Sequence, residues 1–269
     1  MNENTAQNKR FEYVASAGQS GYPVANLTTH HLGGWEMPQR PAPLLPDPVL
    51  NEAHKDFFYI SPPLQHFLPG ITAEMMDWFW ANMEKCYFLW GPGSHKMFRW
   101  VNEPWKYGYV GSSHVIAENL YEGGPIIDFS DSPMTRLDMD EFPFMDALEH
   151  VLMEGRFDES GKVINNNIHM WQDCEGGIVH TTCMIQSAAA LPPGVTPEML
   201  VQELSSPPEV GYLHPDFEAA RWPKFLPTLF ELWKGHPDPT QNVLFDLSVQ
   251  KDQDGNWEYI HENGPVQYE

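Results

Sequence analysis

Residues 164–186 read INNNIHMWQDCEGGIVHTTCMIQ, two apolar and hydroxyl-rich runs meeting at Cys174-Glu175-Gly176-Gly177. A glycine pair between such runs supplies the tight reversal of a hairpin, so INNNIHMWQD and GIVHTTCMIQ are read as two antiparallel strands. The same pattern closes the chain, where VLFDLSVQ (243–250) and NWEYIHE (256–262) flank Asp254-Gly255. GYVGSSHVIAENLY (108–121) is read as a further strand.

Helices are expected between these strands. Thr72 is a good N-cap, Glu74 sits in the positive first turn, and Met75, Met76, Phe79, Trp80 and Met83 recur at helical spacing. A second helix is expected over 144–153, and a third from Thr196 with Pro197 at its first position. A long helix after residue 214 would pack across the sheet. Hairpins mixed with helices, without regular strand–helix alternation, predict an α+β fold rather than a doubly wound sheet. Residues 1–67 include PQRPAPLLPDP and lack periodicity, so they are expected to form an extended arm or small subdomain ahead of a main domain at 68–269.

The 269 residues carry 37 acidic against 15 basic side chains, a formal charge of −22. That field repels phosphate backbones and anionic lipid, which argues against nucleic-acid and membrane-surface partners. The three cysteines never form a CxxC pair, so neither a disulfide framework nor a cysteine zinc knuckle is supported. With no signal-like apolar run at the start, a cytoplasmic protein in a reducing compartment is expected.

No glycine-rich phosphate loop, GxSxG elbow or HExxH motif occurs, which leaves the twelve histidines and the carboxylates to carry chemistry. His214 and Glu218 are four apart in HPDFE, a spacing that lets two side chains close on one ion. The alternative is a cap followed by an exposed acid, and the spacing alone does not choose. Because Pro215 disfavours the α conformation before it, His214 is expected at the N-cap. His114 and Glu118 share one strand face at the same spacing. His95 follows the rigid turn LWGPGSH. His169 and His180 lie on the two arms of the 164–186 hairpin, and Tyr87 is eight residues before His95, placed either to reach a cavity or to anchor the core.

Taken together, GITAEMMDWFWANMEKCYFLWGPGSH (70–95), YVGSSHVIAE (109–118), NNIHMWQDCEGG (166–177) and HPDFEAARWPKFLPTLF (214–230) resemble the 2,4-diacetylphloroglucinol hydrolase family, which includes phloretin hydrolase. The likeness spans about residues 68–230. It implies a Bet v 1-like helix-grip domain, an antiparallel sheet around a cavity with a long helix, behind a smaller N-terminal segment. It also implies Zn2+ held by His95, Glu118, His214 and Glu218, with Tyr87 and His169 beside the substrate.

The implied activity is zinc-dependent hydrolysis of the carbon–carbon bond between an acyl group and a phenolic or polyketide aromatic ring. Zinc suits it because a metal polarises carbonyls and makes water acidic. Tyr87 and His169 would orient the phenol and handle protons, and Glu118 or Glu218 would act as base. The partner is a small aromatic or polyketide substrate, with homo-oligomerisation left open. Two alternatives stay open: a metal-dependent lyase, isomerase or cyclase, and a non-catalytic carrier of aromatic ligands. The family's LWHP is LWGP at Gly91 and its arginine-rich stretch is VHTTCMIQ at 179–186, so an altered pocket wall and substrate are expected, with His180 as a new polar contact.

Overall fold

A computed structural model of the chain describes residues 56–137, 149–204, 210, 213–234, 247–261 and 264–265. The chain enters with strand β1 (Phe57–Pro69), helix α1 (Ala73–Ala81), a single 3-10 turn (Met83–Lys85) and the short α2 (Tyr87–Trp90). Then come β2 (His95–Asn102), α3 (Pro104–Tyr107), β3 (Ser113–Asn119), β4 (Ile126–Asp128) and β5 (Met134–Leu137). The second half has β6 (His150–Phe157), β7 (Val163–Cys174), β8 (Gly177–Ser187), α4 (Pro197–Leu204), α5 (His214–Ala219) and α6 (Trp222–Trp233). A small hairpin follows, β9 (Leu247–Lys251), β10 (Trp257–His261) and the two-residue β11 (Gly264–Pro265).

The large sheet is antiparallel throughout, in the order β1-β8-β7-β6-β5-β3-β2, with β4 added on β3. With few helices beside it, the fold is mixed α and β with a dominant antiparallel sheet, and the 164–186 hairpin forms β7 and β8, next to the edge strand β1. The hairpin at Asp254-Gly255 also forms, but in the separate sheet β11-β10-β9. Tyr259 ties that sheet to the main body by donating from its hydroxyl to the Leu89 carbonyl at 2.6 Å and stacking on Phe225.

Local chemistry explains the helix ends. Thr72 caps α1 as expected, accepting the Met75 N–H. Pro197 opens α4. Helix α6 buries Trp222, Phe225, Leu226, Leu229, Phe230 and Trp233 against α1 and the sheet. Proline does not break it: Pro223 lies in its first turn, where a missing N–H costs nothing, and Pro227 forfeits one internal bond.

Four expectations need correction. The helix expected over 144–153 is a strand in its last part, because β6 begins at His150; residues 144–148 lie outside the described ones. Strand β6 is covered on both faces, Leu152 in one apolar cluster and Met153 in another. Burial on both sides erases the period of two, so the run looks helical. The strand expected at 108–121 is ordered as β3 only over Ser113–Asn119, because Gly108 (φ 87°) and Gly111 (φ 89°) turn the chain before it.

The long helix after 214 is two helices, α5 and α6, interrupted at Ala220-Arg221. The boundary set at 67/68 falls inside β1, whose residues Phe57–Pro69 pair with β8. Its prolines at 62 and 63 sit where the register shifts between Ser61 and Leu64, on an edge strand that tolerates a missing donor. Most of residues 1–67, namely 1–55, lies outside the described residues. No described helix is long and apolar enough to cross a membrane.

Leu229 is fully buried in the α6 face, whereas Leu232 of the same helix is 43% exposed. Leu229→Ala is therefore expected to lower unfolding free energy by about 2–5 kcal/mol, and Leu232→Ala by about 0.5 kcal/mol or less. Urea titrations of the two variants check this.

Candidate metal centre

Helix α2 ends at Trp90, and Gly91-Pro92-Gly93-Ser94 turns the chain into β2. The Gly91 carbonyl accepts the N–H groups of Ser94 (3.0 Å) and His95 (2.7 Å), and Gly93 takes φ 78°. His95 is thus delivered as the first residue of β2, as the rigidity of LWGPGSH predicts. Gly91 is required there: a Cβ on it would lie 2.2 Å from Cδ2 of the His95 ring. The imidazole occupies the space a side chain would take.

Antiparallel pairing then sets His95 directly opposite Glu118 on β3. Opposite residues of a ladder project from the same face at close range, so two residues 23 apart in the chain become neighbours. The third and fourth groups come from α5. Its N-cap is Leu213, and His214 is the first helical residue, which corrects the expected N-cap position. Leu213 takes the extended conformation (ψ 154°) instead, and Asp216 accepts its N–H at 2.9 Å. One helical turn carries both His214 and Glu218.

The four side chains converge. His95 Nε2 lies 3.2 Å from Glu218 Oε1, 3.4 Å from His214 Nε2 and 3.7 Å from Glu118 Oε2. His214 Nε2 lies 3.3 Å from Glu218 Oε1 and 3.8 Å from Glu118 Oε2. Ligand-type atoms of His95, Glu118 and His214 all fall within 4.8 Å of one another. All four side chains are at most about one-eighth exposed.

Tautomers matter as much as distances. The Nδ1 of His95 faces the Tyr87 carbonyl at 2.7 Å, and that of His214 faces the Leu120 carbonyl at 3.2 Å. A carbonyl only accepts, so each Nδ1 holds the proton and each Nε2 presents a lone pair inward, the arrangement of metal-binding histidines. Two such lone pairs and two carboxylates pressed together require a cation. With only the chain's own protons, burial works to keep His214 neutral but Glu218 and Glu118 outweigh it and raise its pKa to about 9. Burial likewise opposes ionisation of Glu218, yet His214 and His95 draw its pKa down to about 2. A divalent cation fits this donor set better than a proton, because it satisfies all four groups at once.

Tyr87 adjoins the cluster. Its hydroxyl donates to Glu118 Oε2 at 2.6 Å and its ring stacks on His95 with centroids 4.0 Å apart. Burial, then Glu118, pushes its pKa well up, so it remains a donor. Among the described groups it therefore contacts ligand-type side chains and also lines the cavity.

The centre opens into a cavity of about 120 Å3. Trp80, Met83, Trp90, Ile116, Phe129 and Met134 supply apolar wall, and Glu118, His214 and Glu218 line it together with His169, His114, Glu154 and Asn167. His169 of β7 is buried at 3.3 Å (Nδ1) from His180 Nε2 and packs on Trp80. His180 does not line this cavity: its polar contact is with His169, and Trp222 lies edge-on to it. His114 shares the strand face of Glu118 but turns toward Glu154, so that pair does not close on one ion.

Glu154, one residue beyond the expected 144–153 helix, is not singled out from the sequence, and neither is the buried His66–Asp216 pair at 3.0 Å that fastens α5 to β1. The signal for Asp216 was available, since Asp at the third position of a helix can accept the N-cap N–H.

An α+β chain with a buried two-imidazole, two-carboxylate cluster beside a mainly apolar cavity has the build of a small-molecule enzyme. Residues 62–230 match the family model described as the DAPG hydrolase PhiG domain, and the chain belongs to that family. It is thus a hydrolase by family, with a small-molecule substrate. No curated protein matches the chain. Among solved structures, protein Ms6760 from Mycobacterium smegmatis is similar at 14% identity with a TM-score of 0.40, over 65% of this chain and 92% of that one.

Two outcomes follow. Gly91→Ala must displace the His95 ring, so metal affinity by competitive chelator titration is expected to fall at least tenfold, with far-ultraviolet circular dichroism retained. His114 and His169 are buried, and burial lowers each pKa from 6.5 to about 4. Between pH 6.5 and 4 the unfolded chain binds protons that the folded chain refuses. Stability is thus full above pH 6.5 and falls by about 1.4 kcal/mol per pH unit for each group on acidification. Thermal midpoints in chelator at pH 6.5 and 5 are expected to drop, and less steeply in His114→Phe.

Proposed function

We propose that this chain is a zinc-dependent hydrolase that cleaves the carbon–carbon bond between an acyl group and a phenolic ring, in a Bet v 1-like helix-grip domain. The observation that carries the reading is the convergence of His95, Glu118, His214 and Glu218, with both Nδ1 atoms tied to carbonyls, in the wall of an apolar cavity. Family membership supports the reaction class. The antiparallel sheet with α6 packed on it supports the fold assignment.

On this reading the four side chains hold Zn2+. When bound, the ion polarises an acyl carbonyl and raises the acidity of water near neutral pH. The chain's own groups do the rest. Trp80, Met83, Ile116, Phe129 and Met134 take the aromatic ring out of water. Departure of a ring carbon requires a proton at the carbon that bears the acyl group, so that aromaticity returns as the bond breaks.

His169, which burial keeps neutral, orients the phenol by hydrogen bond with its Nδ1 against His180, and the proton for the ring carbon comes from the water whose hydroxide goes to the acyl carbon. Tyr87 keeps its proton and holds Glu118 by hydrogen bond, so that Glu118 stays oriented as ligand and base. The substrate is a small acylated phenol or polyketide aromatic, and the protein works in the cytoplasm.

Metal analysis and product analysis test this. Purified chain is expected to hold about one zinc, and Glu218→Ala to lose it while keeping its circular dichroism. His169→Asn is expected to keep zinc and lose about 10²-fold in kcat on an acylated phenol followed by mass spectrometry. An intact ligand recovered with undiminished affinity from a His214→Ala protein would instead identify a carrier, and an isomeric or ring-closed product a lyase, isomerase or cyclase.

A further inference from the structure

A second polar pole lies in the same cavity, away from the metal-type cluster. His114 is fully buried on β3, stacked on Phe98 with centroids 4.9 Å apart. Neither of its ring nitrogens has a hydrogen-bond partner among the described residues, and Glu154 Oε1 stands at 3.6 Å from Nδ1, beyond bonding reach. Asn167 Oδ1 is likewise buried without a partner. A buried imidazole left unbonded is destabilising, so such a cluster is maintained against its own instability.

Glu154 is 3% exposed and fixed by Arg136, whose Nε lies 3.2 Å from Oε1. Arg136 in turn bonds the Trp80 carbonyl and lies 5.2 Å over the Trp100 ring. An arginine locked on both sides holds the Glu154 carboxylate oxygens in place as acceptors. His114, Glu154 and Asn167 all line the cavity. A carboxylate acceptor and an imidazole N–H donor together suit a hydroxyl group, which donates one hydrogen bond and accepts others, and the Asn167 amide oxygen stands beside them as a second acceptor.

Spacing completes the argument. His114 and Glu118 project from one face of β3 four residues apart, about 13 Å along the strand. One aromatic ring with a polar substituent at each end bridges such a gap.

We propose that His114 and Glu154, beside Asn167, form a hydroxyl-binding subsite, selecting aromatic ketones that carry a ring hydroxyl remote from the acyl carbon. The hydroxyl donates to Glu154 and accepts from His114, while the acyl group lies toward Glu118. The direction of binding rests on the hydrolase reading; the hydroxyl preference does not. A neutral His114, as its lowered pKa requires, has the one N–H this role needs.

Calorimetric titration of the full zinc-loaded chain with 4-hydroxyacetophenone and with acetophenone tests it. Wild type is expected to prefer the hydroxylated ketone at least tenfold. In Glu154→Gln and in His114→Phe, which keeps the stack on Phe98, the preference is expected to shrink to threefold or less with zinc content unchanged. Should Glu154→Gln fail to fold, His114→Phe decides alone.

No preference in wild type, no binding of either ketone, or a preference untouched by the folded variants overturns the subsite. If the preference behaves as expected but mass spectrometry finds no acylated phenol cleaved, the hydrolase reading fails and the subsite stands.

Discussion

Four electron-pair donors face one another inside this protein, and everything near them is arranged to keep them there. Left to themselves, two carboxylates and two imidazole lone pairs at 3.2–3.8 Å would separate or take up protons. Three independent constraints prevent the first. The β2–β3 register holds His95 opposite Glu118, one turn of α5 holds His214 to Glu218, and the His66–Asp216 bond pins that turn to β1. Gly91 and Tyr87 then define where the His95 ring can lie.

Much of the site was legible because its chemistry is bound to short-range spacing. His214 and Glu218 are one turn apart in any helix, and the glycine-rich turn before His95 announces a fixed approach. What the sequence could not express is the choice between a clamp and a surface helix, since that depends on the burial of α5 against β1, 150 residues away. His114 and Glu118 were correctly placed on one face, but the strand is long enough for them to serve different ends of a cavity.

The fold was legible in its hairpins and in the α1 cap, where turn residues and capping groups act locally. It was obscured in β6, where both faces are dry and the alternation of strand burial disappears. Glu154 was lost with it. A carboxylate inside an apolar run is a signal in either conformation, yet only the partner Arg136 on β5 says why it is tolerated. The cavity thus pairs one cluster that calls for a cation with another that brings its own.

Strand β1 carries a kinetic consequence. It pairs Phe57 with Ser187 and Pro69 with Gly177, so more than a hundred residues must be made before its partner exists. During synthesis the strand's ladder groups wait unpaired, and closing so large a loop is slow in any chain. Because His66 of this strand secures α5, the turn that carries His214 and Glu218 is among the last parts to be braced. A ribosome-bound chain stopped short of β8 would carry His95 and Glu118 but neither the partner strand of β1 nor the α5 turn that His66 secures.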